Sequence, residues 1–278
     1  MQLSNKANIN VTAVLCVYNE IQNISIIEKN ILVNLFVELI IVDGGSTDGT
    51  FEHLSKFSSV RLFRLENAGL LSQRLFGIQK ATKSLVFLFN ADDDISSLDV
   101  CRLVSEFSKL KADGIQVRPL ARNSGNYWSG AWSEYFELLF PIHDKIPCIG
   151  RPCLMPKMLF DGIVVNQNIF NEDTYLKYEQ ELRHGELSCF SSEQVVFREM
   201  PKGLRINVRQ FIRYGQSDAV ITKNNIYKLF HLLYHSLFRI LLIRTIRLCL
   251  RGKFKFSLFT ILMGLSRGVA LLYYNLKK

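Results

Sequence analysis

The residues of this chain best equipped for chemistry stand directly after apolar runs. Ser84–Phe89 (SLVFLF) leads into Asn90-Ala91-Asp92-Asp93-Asp94. Three consecutive carboxylates at the end of a buried segment repel one another and lose hydration, and a divalent cation relieves both penalties. Hard oxygen ligands suit Mg2+ or Mn2+, which takes its remaining ligands from water and substrate phosphates. Taken alone, the cluster serves equally as the N-terminal cap of a following helix, through Asp93 or Asp94. A second run, Glu38–Val42 (ELIIV), ends at Asp43 and opens into Gly44-Gly45-Ser46-Thr47-Asp48-Gly49-Thr50. A carboxylate there can accept hydrogen bonds from a base edge or a ribose, and the glycines let backbone approach a ligand closely. The plain alternative is a tight turn capped by Asp48 or Thr47. No GK[ST] or GxGxxG follows, so neither a P-loop nor a dinucleotide fingerprint is present. A third run, Val11–Val17 (VTAVLCV), ends in Tyr18-Asn19-Glu20.

The elements that carry these turns can be read from periodicity. The three runs are continuous and rich in β-branched residues, as in strands buried on both faces. Ile24, Ile27, Ile31 and Leu35 recur at helical spacing, as do residues within Leu70–Ala81 and Leu98–Leu110. Phe51–Phe57 reads as a short helix, and Val60–Leu65 and Gly114–Val117 as further strands. Strands alternating with helices predict an α/β fold with a doubly wound, mostly parallel sheet. Ligands of such sheets bind beyond the carboxyl ends of the strands, which would gather the three polar turns at one edge. The stretch 121–222 is less regular. It holds Tyr127, Trp128 and Trp132, which either stack on a ligand or fill a core. We expect one domain over 1–222, with a nucleotide-binding part at 1–120 and an acceptor part at 121–222, followed by a helical tail at 223–278.

Composition narrows the partners. With 278 residues, 48% of them hydrophobic and 21% charged, the chain can bury a large core and is not a disordered one. The net charge of +9 admits nucleic acid, an anionic membrane surface or a phosphorylated substrate. The region from Asn224 to Lys278 holds no Asp or Glu and sets its Lys and Arg among leucines, isoleucines and phenylalanines. That pattern favours a membrane surface and argues against nucleic acid. Ile226–Leu250 reads as a basic amphipathic helix. The segment from Phe256 is apolar for the length of a span but carries Arg267, so it is expected to lie in the interface, since a central Arg costs about 2.5–3.5 kcal/mol on insertion scales. The N-terminal MQLSNKANIN lacks the apolar stretch of a signal peptide, so the catalytic part is expected to stay in the cytoplasm, peripheral on the inner face of the cell membrane. The six cysteines form no CxxC pair and are expected to be free thiols.

In this order and spacing the three turns resemble those of the family 2 glycosyltransferases, which have the GT-A fold. The counterparts are VYNE (Val17–Glu20), VDGGSTDGT (Val42–Thr50), ENAG with Gln73-Arg74 and Gly77, and FNADDD (Phe89–Asp94). The likeness covers about residues 11–95. It implies a Rossmann-like GT-A domain that binds a nucleotide-diphosphate sugar, most commonly a UDP-sugar. Val17, Tyr18, Asn19, Glu20, Asp43 and Gly45 would line the nucleoside side of the pocket, with Asp43 on the base. Arg74 would sit near the diphosphate or its carboxylate neighbours. Asn90, Ala91 and Asp92 match the family's DxD motif, with Asp92 on a Mn2+ or Mg2+ ion and Asp93 supporting the donor sugar or metal waters. Asn90 stands where Asp is usual, and Leu75 where Asn is frequent.

The same resemblance extends to Ile169–Glu179 (IFNEDTYLKYE), similar to the family's ED motif. An acceptor hydroxyl is a weak nucleophile, so a carboxylate must take its proton as it attacks the anomeric carbon. Asp173 is the expected base, with Glu172 second. Acids favoured at a helix N-terminus are the alternative. In Val208–Gly215 (VRQFIRYG), Arg209 and Arg213 lie four apart and would share a helix face, either to hold a diphosphate or simply in solvent. The expected activity is inverting transfer of a sugar to a glycan or lipid-linked acceptor in surface-polysaccharide assembly. Rival readings are a sugar nucleotidyltransferase, which would carry a Gly-rich basic loop where YNE stands, and a catalytically degenerate nucleotide-sugar binding protein.

Overall fold

The apolar runs form the strands predicted for them. The computed structural model describes residues 10–122, 125–147, 149–164, 172–222 and 225–277. Strand β1 (Val11–Val17) is buried at every position. It lies between β2 (Glu38–Asp43) and β4 (Leu85–Phe89), with β3 (Arg61–Arg64) outside β2, and all three pairings are parallel. The crossovers are helices α1 (Ile24–Val33), α2 (Thr50–Leu54) and α3 (Leu70–Lys80). Burial of Ile27 and Ile31 on α1, and of Leu71 and Ile78 on α3, gives each helix the apolar face its spacing predicts.

The sheet then changes character. β5 (Asp93–Asp94), β6 (Gly114–Ala121), β7 (Cys153–Pro156) and β8 (Cys189–Arg198) extend it to eight strands in the order β3-β2-β1-β4-β7-β6-β8-β5. The pairs β4–β7, β6–β7 and β5–β8 are antiparallel. The parallel half is the portion whose β/α alternation is legible. The antiparallel half comes from distant segments without a regular pattern. Helix α4 (Val100–Lys109) follows β5, and its N-cap is Asp99, which accepts from Arg102 N at 3.0 Å. Asp93 and Asp94 therefore do not cap it.

Two compact units are distinguished. One comprises Met1–Pro119, Phe140–Gln167 and Leu176–Arg198, and the other Leu120–Leu139, Asn168–Tyr175 and Glu199–Lys278. The first is built on the sheet, with Val11, Leu15, Phe87 and Phe89 at its centre. The second is helical: α5 (Tyr127–Leu139), α7 (Leu204–Ile221), α8 (Ile226–Leu233), a π-helical segment (Tyr234–Arg244), α9 (Thr245–Leu250) and α10 (Ser257–Leu276). Helix α6 (Glu172–His184) starts in the second unit and continues in the first.

Trp132 is 4% exposed and centres the helical core with Tyr135, Phe211 and Phe259. Its ring meets Phe259 edge-on at 5.0 Å, and its Nε1 donates to Asn207 Oδ1 at 2.8 Å. Of the two readings open for the aromatics, Trp132 takes the core one, and Tyr127 and Trp128 pack against the same cluster. The C-terminal segments belong to this core as well. Gly215 lets α7 approach α10 so closely that a Cβ there would meet the Arg267 carbonyl oxygen and the Ala270 side chain. Arg267 is paired with buried Asp218 through Nε to Oδ2 at 2.6 Å and Nη2 to Oδ1 at 3.1 Å. Ile226–Leu250 is one continuous helical stretch, and it and Phe254–Leu276 are each long and apolar enough to cross a membrane. Their outward residues include Tyr227, Phe230, Leu250, Val269 and Tyr273, interleaved with exposed Arg247, Arg251 and Lys255. The five described cysteines are free thiols.

Candidate active site

The strand register decides how the three polar turns meet. Val17 lies opposite Asp43 and Leu15 opposite Phe89. The turns after β1, β2 and β4 therefore leave the sheet side by side, one strand spacing of about 4.8 Å apart. Hydrogen bonds stitch the first two together. Gly44 N donates to Val17 O at 2.9 Å. Asn19, held at φ 53°, donates from its backbone to Ser46 Oγ and accepts from Thr47 N at its Oδ1, both at 2.9 Å. Glu20 N donates to Thr50 Oγ1 at 2.9 Å, and Ile21 N to Asp48 Oδ2 at 3.0 Å. Asp43 Oδ1 accepts from Gly45 N and Ser46 N, each at 2.9 Å, while Asp43 Oδ2 is buried with no hydrogen-bond partner. Gly45 has φ 92°, a conformation that favours glycine and completes the turn. Tyr18 is 56% exposed at the lip of this arrangement.

The third turn separates its three acids into different jobs. Asp93 is fully buried and forked by Arg198, with Nε to Oδ1 at 2.7 Å and Nη2 to Oδ2 at 3.1 Å. Asn90 N donates to Asp93 Oδ2 at 2.8 Å. Asp94 pairs with Lys29 at 2.8 Å. Asp92 is the acid left over. Its side chain is 35% exposed, and its nearest basic group is Arg198 Nε at 3.8 Å. Burial, and after it the charges of Asp93 and Glu20, push the Asp92 carboxyl up to about 7, against the pull of Arg198. Burial, with Asp48 adding to it, also holds Glu20 above the usual carboxylate range, although Asn23 works against this. A partly open carboxylate crowded by other acids is a seat for a cation, and a cation with one protein carboxylate fits an ion that takes its other ligands from water and phosphates. Asn90 turns its Oδ1 to Arg74 Nη2 at 3.2 Å. Arg74 is fully buried on α3, beneath Asn90. Ala91 is buried as well.

The remaining predicted residues lie in the helical unit. Glu172 and Asp173 open the first turn of α6, Glu172 buried and Asp173 partly so. Arg209 and Arg213 are both exposed on α7. Residues 165–171, which complete the IFNED segment, are outside the described residues. Sequence reasoning missed Arg198. It binds Asp93, lies beside Asp92 and donates to the Arg151 carbonyl at 2.7 Å. Its partner stands 105 residues earlier, so no local pattern signals the pair. A positively charged residue closing the short apolar run Val195–Phe197 was the one available cue.

A mixed α/β sheet whose parallel strands end in polar turns at one edge belongs to the folds that take ligands beyond the carboxyl ends of their strands. The sequence pattern of the Glycosyl transferase family 2 matches residues 12–159, more than half of the chain, and the chain belongs to that family. It is 26% identical over 113 residues to the cholesterol galactosyltransferase of Borreliella burgdorferi, a stretch covering 38% of this chain and 31% of that protein. The match thus spans about a third of that relative's length. Among solved structures, S. aureus TarS 1-349 in complex with UDP superposes with a TM-score of 0.54 at 12% identity, covering 96% of this chain and 92% of that one. Glucosyl-3-phosphoglycerate synthase from Mycobacterium tuberculosis, in complex with phosphoglyceric acid, gives 0.56 at 16% identity, covering 78% and 80%. At these identities the likeness establishes the shared fold.

Proposed function

We propose that this protein is an inverting glycosyltransferase that moves a sugar from a UDP-sugar to a glycan or lipid-linked acceptor. The observation that carries the reading is Asp92, the one acid of its cluster not engaged by a short ion pair, set beside the turn that Asp43 organises. Asp43, Gly45 and the Val17–Glu20 turn hold the nucleoside, with the unpartnered Asp43 Oδ2 as the acceptor for a base or ribose donor. Asp92 holds Mn2+ or Mg2+, which when bound neutralises charge on the departing diphosphate. Asp93 and Arg198 fix the backbone that presents Asp92, since Asn90 N is bonded to Asp93. Asp173 takes the acceptor hydroxyl proton as oxygen attacks the anomeric carbon from the face opposite the leaving nucleotide. The proton passes to Asp173, the C–O bond forms, and the nucleoside diphosphate leaves with its bonding pair. Arg209 and Arg213 are the cations available on α7 for the diphosphate.

The relatives' names support a sugar donor. One related structure holds UDP-GlcNAc, and the curated relative is called a galactosyltransferase. The outward apolar and basic face of the C-terminal helices supports work at an anionic membrane surface, on the cytoplasmic side.

The test is release of UDP or GDP from a panel of donors, with Mn2+, with Mg2+ and with chelator. Release from one donor that needs the cation and is lost in Asp92→Ala supports the reading. In Asp173→Asn, transfer should fall by about 10²–10⁴ while donor affinity stays unchanged. A folded protein that neither binds nor turns over any donor would instead be a degenerate binding module.

A further inference from the structure

The geometry points to a second cation site, formed by Glu106, His143 and Glu193 in the sheet unit and suited to a divalent transition ion of the zinc type. It does not depend on the activity proposed above.

Glu106 projects from α4 with its side chain only 8% exposed. Its Oε2 accepts from Ser192 Oγ at 2.6 Å, but its Oε1 is buried with no hydrogen-bond partner. A buried carboxylate oxygen left without a donor carries an unmet desolvation penalty that a bound cation would relieve. Two ligating groups converge on it. Glu193 comes from β8, next to the Ser192 that already holds Glu106. His143 comes from the segment before β7, with its backbone N donating to Ser191 O at 2.9 Å. Its Nε2 lies 4.0 Å from Glu106 Oε2. One ligand atom from each of the three residues lies within 4.8 Å of the others. Such a spread closes onto an ion with small side-chain rotations.

The charges around the cluster are few. Arg102, one turn before Glu106 on α4, engages Glu193 Oε1 through Nη2 at 2.5 Å and Nε at 2.6 Å. Arg118 Nη2 binds the Glu193 backbone oxygen at 3.2 Å. Both arginines bind Glu193, which leaves the Glu106 carboxylate with His143 beside it in the cluster. One imidazole with two carboxylates is a mixed nitrogen and oxygen set. It suits Zn2+ or Mn2+ and is poor for Ca2+ or Mg2+, which prefer oxygen alone, and the usual affinity order puts zinc above manganese. His143 and Glu193 are 45% and 33% exposed, which gives the ion a way in. An ion there ties α4 and the His143 segment to β8, the strand that ends in Arg198.

The experiment uses the full chain carrying Asp92→Asn, stripped with chelator, so that the cation expected at Asp92 plays no part. Zn2+ is titrated by calorimetry, and bound metal is counted after dialysis. One equivalent should bind and raise the melting temperature. In the same background, His143→Ala and Glu106→Gln should each weaken binding by more than about 10-fold, the loss that even outer partners of a metal site cause. His143 is exposed, so His143→Ala should keep the metal-free melting temperature and decides the matter if Glu106→Gln is poorly folded. No bound zinc, or binding unchanged in His143→Ala, would overturn the assignment.

Discussion

Replacing Arg198 by Gln removes the guanidinium fork from a carboxylate that has no contact with solvent. In the native protein Asp93 accepts three hydrogen bonds: two from Arg198 at 2.7 and 3.1 Å and one from Asn90 N at 2.8 Å. Only the last survives in Arg198→Gln, together with an uncompensated buried charge. Breaking one side of a buried ion pair typically costs about 3–5 kcal/mol. Uptake of a proton by Asp93 relieves part of this and limits the loss. Arg198 also donates to the Arg151 carbonyl, which adds about 1 kcal/mol for a lost hydrogen bond. We therefore expect urea unfolding at pH 7 to show a loss near 4 kcal/mol. The double variant Asp93→Asn, Arg198→Gln carries no buried charge and should recover about 2 kcal/mol relative to the sum of the single changes. Because Asn90 N is anchored on Asp93, cation-dependent donor turnover should fall in Arg198→Gln by more than the stability loss explains. A cost below about 1 kcal/mol for Arg198→Gln, or strict additivity in the double variant, would refute the account of Asp93 as a structural acid.

At the opposite end of the sheet, burial opposes ionisation of Glu38, but hydrogen bonds from Thr12, Thr82 and Arg61 hold its carboxyl below the usual range. A depressed folded value means stability that is present above the unfolded value of about 4.5 and is lost on acidification. Wild type should therefore lose more stability than Glu38→Gln between pH 5 and about 3, read from urea midpoints, and parallel curves would contradict it. Gly215→Leu should lower stability by up to about 3 kcal/mol in thermal melts, because the new side chain meets backbone of α10; an unchanged melting temperature would mean the two helices are not in close contact. Asn207→Ala should cost about 1–3 kcal/mol, since it strands the Trp132 indole N–H and the Pro201 carbonyl it serves. A red-shifted Trp emission should accompany that loss.

Much of the parallel half was readable because each strand is a continuous apolar run closed by a polar turn. β1 has the predicted bounds, and α3 and β4 differ from prediction by one residue at one end. Such local signals need no partner to be recognised. The antiparallel half was readable only at β6, which begins with the Gly114–Val117 run. β5 has only two residues, both charged, and becomes a strand because Arg198 and Phe197 of β8 lie opposite Asp93 and Asp94. The same non-local pairing hid the roles within the acid cluster. Nothing local to the three aspartates signals that the folded chain pairs Asp93 with Arg198 and Asp94 with Lys29. The C-terminal helices show a related limit. Their greasy, basic composition predicts a surface helix, and nothing local reveals that Phe256, Phe259 and Met263 fill a core with Trp132.

The Arg267–Asp218 pair fixes α10 to α7. Helix α10 taken alone would insert with one bare cation. Pulled away from α7, it would also strand Asp218, which has no exposure to water where it stands. Both ions would then lack a partner, at a cost of several kcal/mol each. The pair therefore works as a rivet. The helical unit meets any surface as a finished block, whose outward side chains include Tyr227, Phe230 and Leu250 with Arg247 and Arg251 among them.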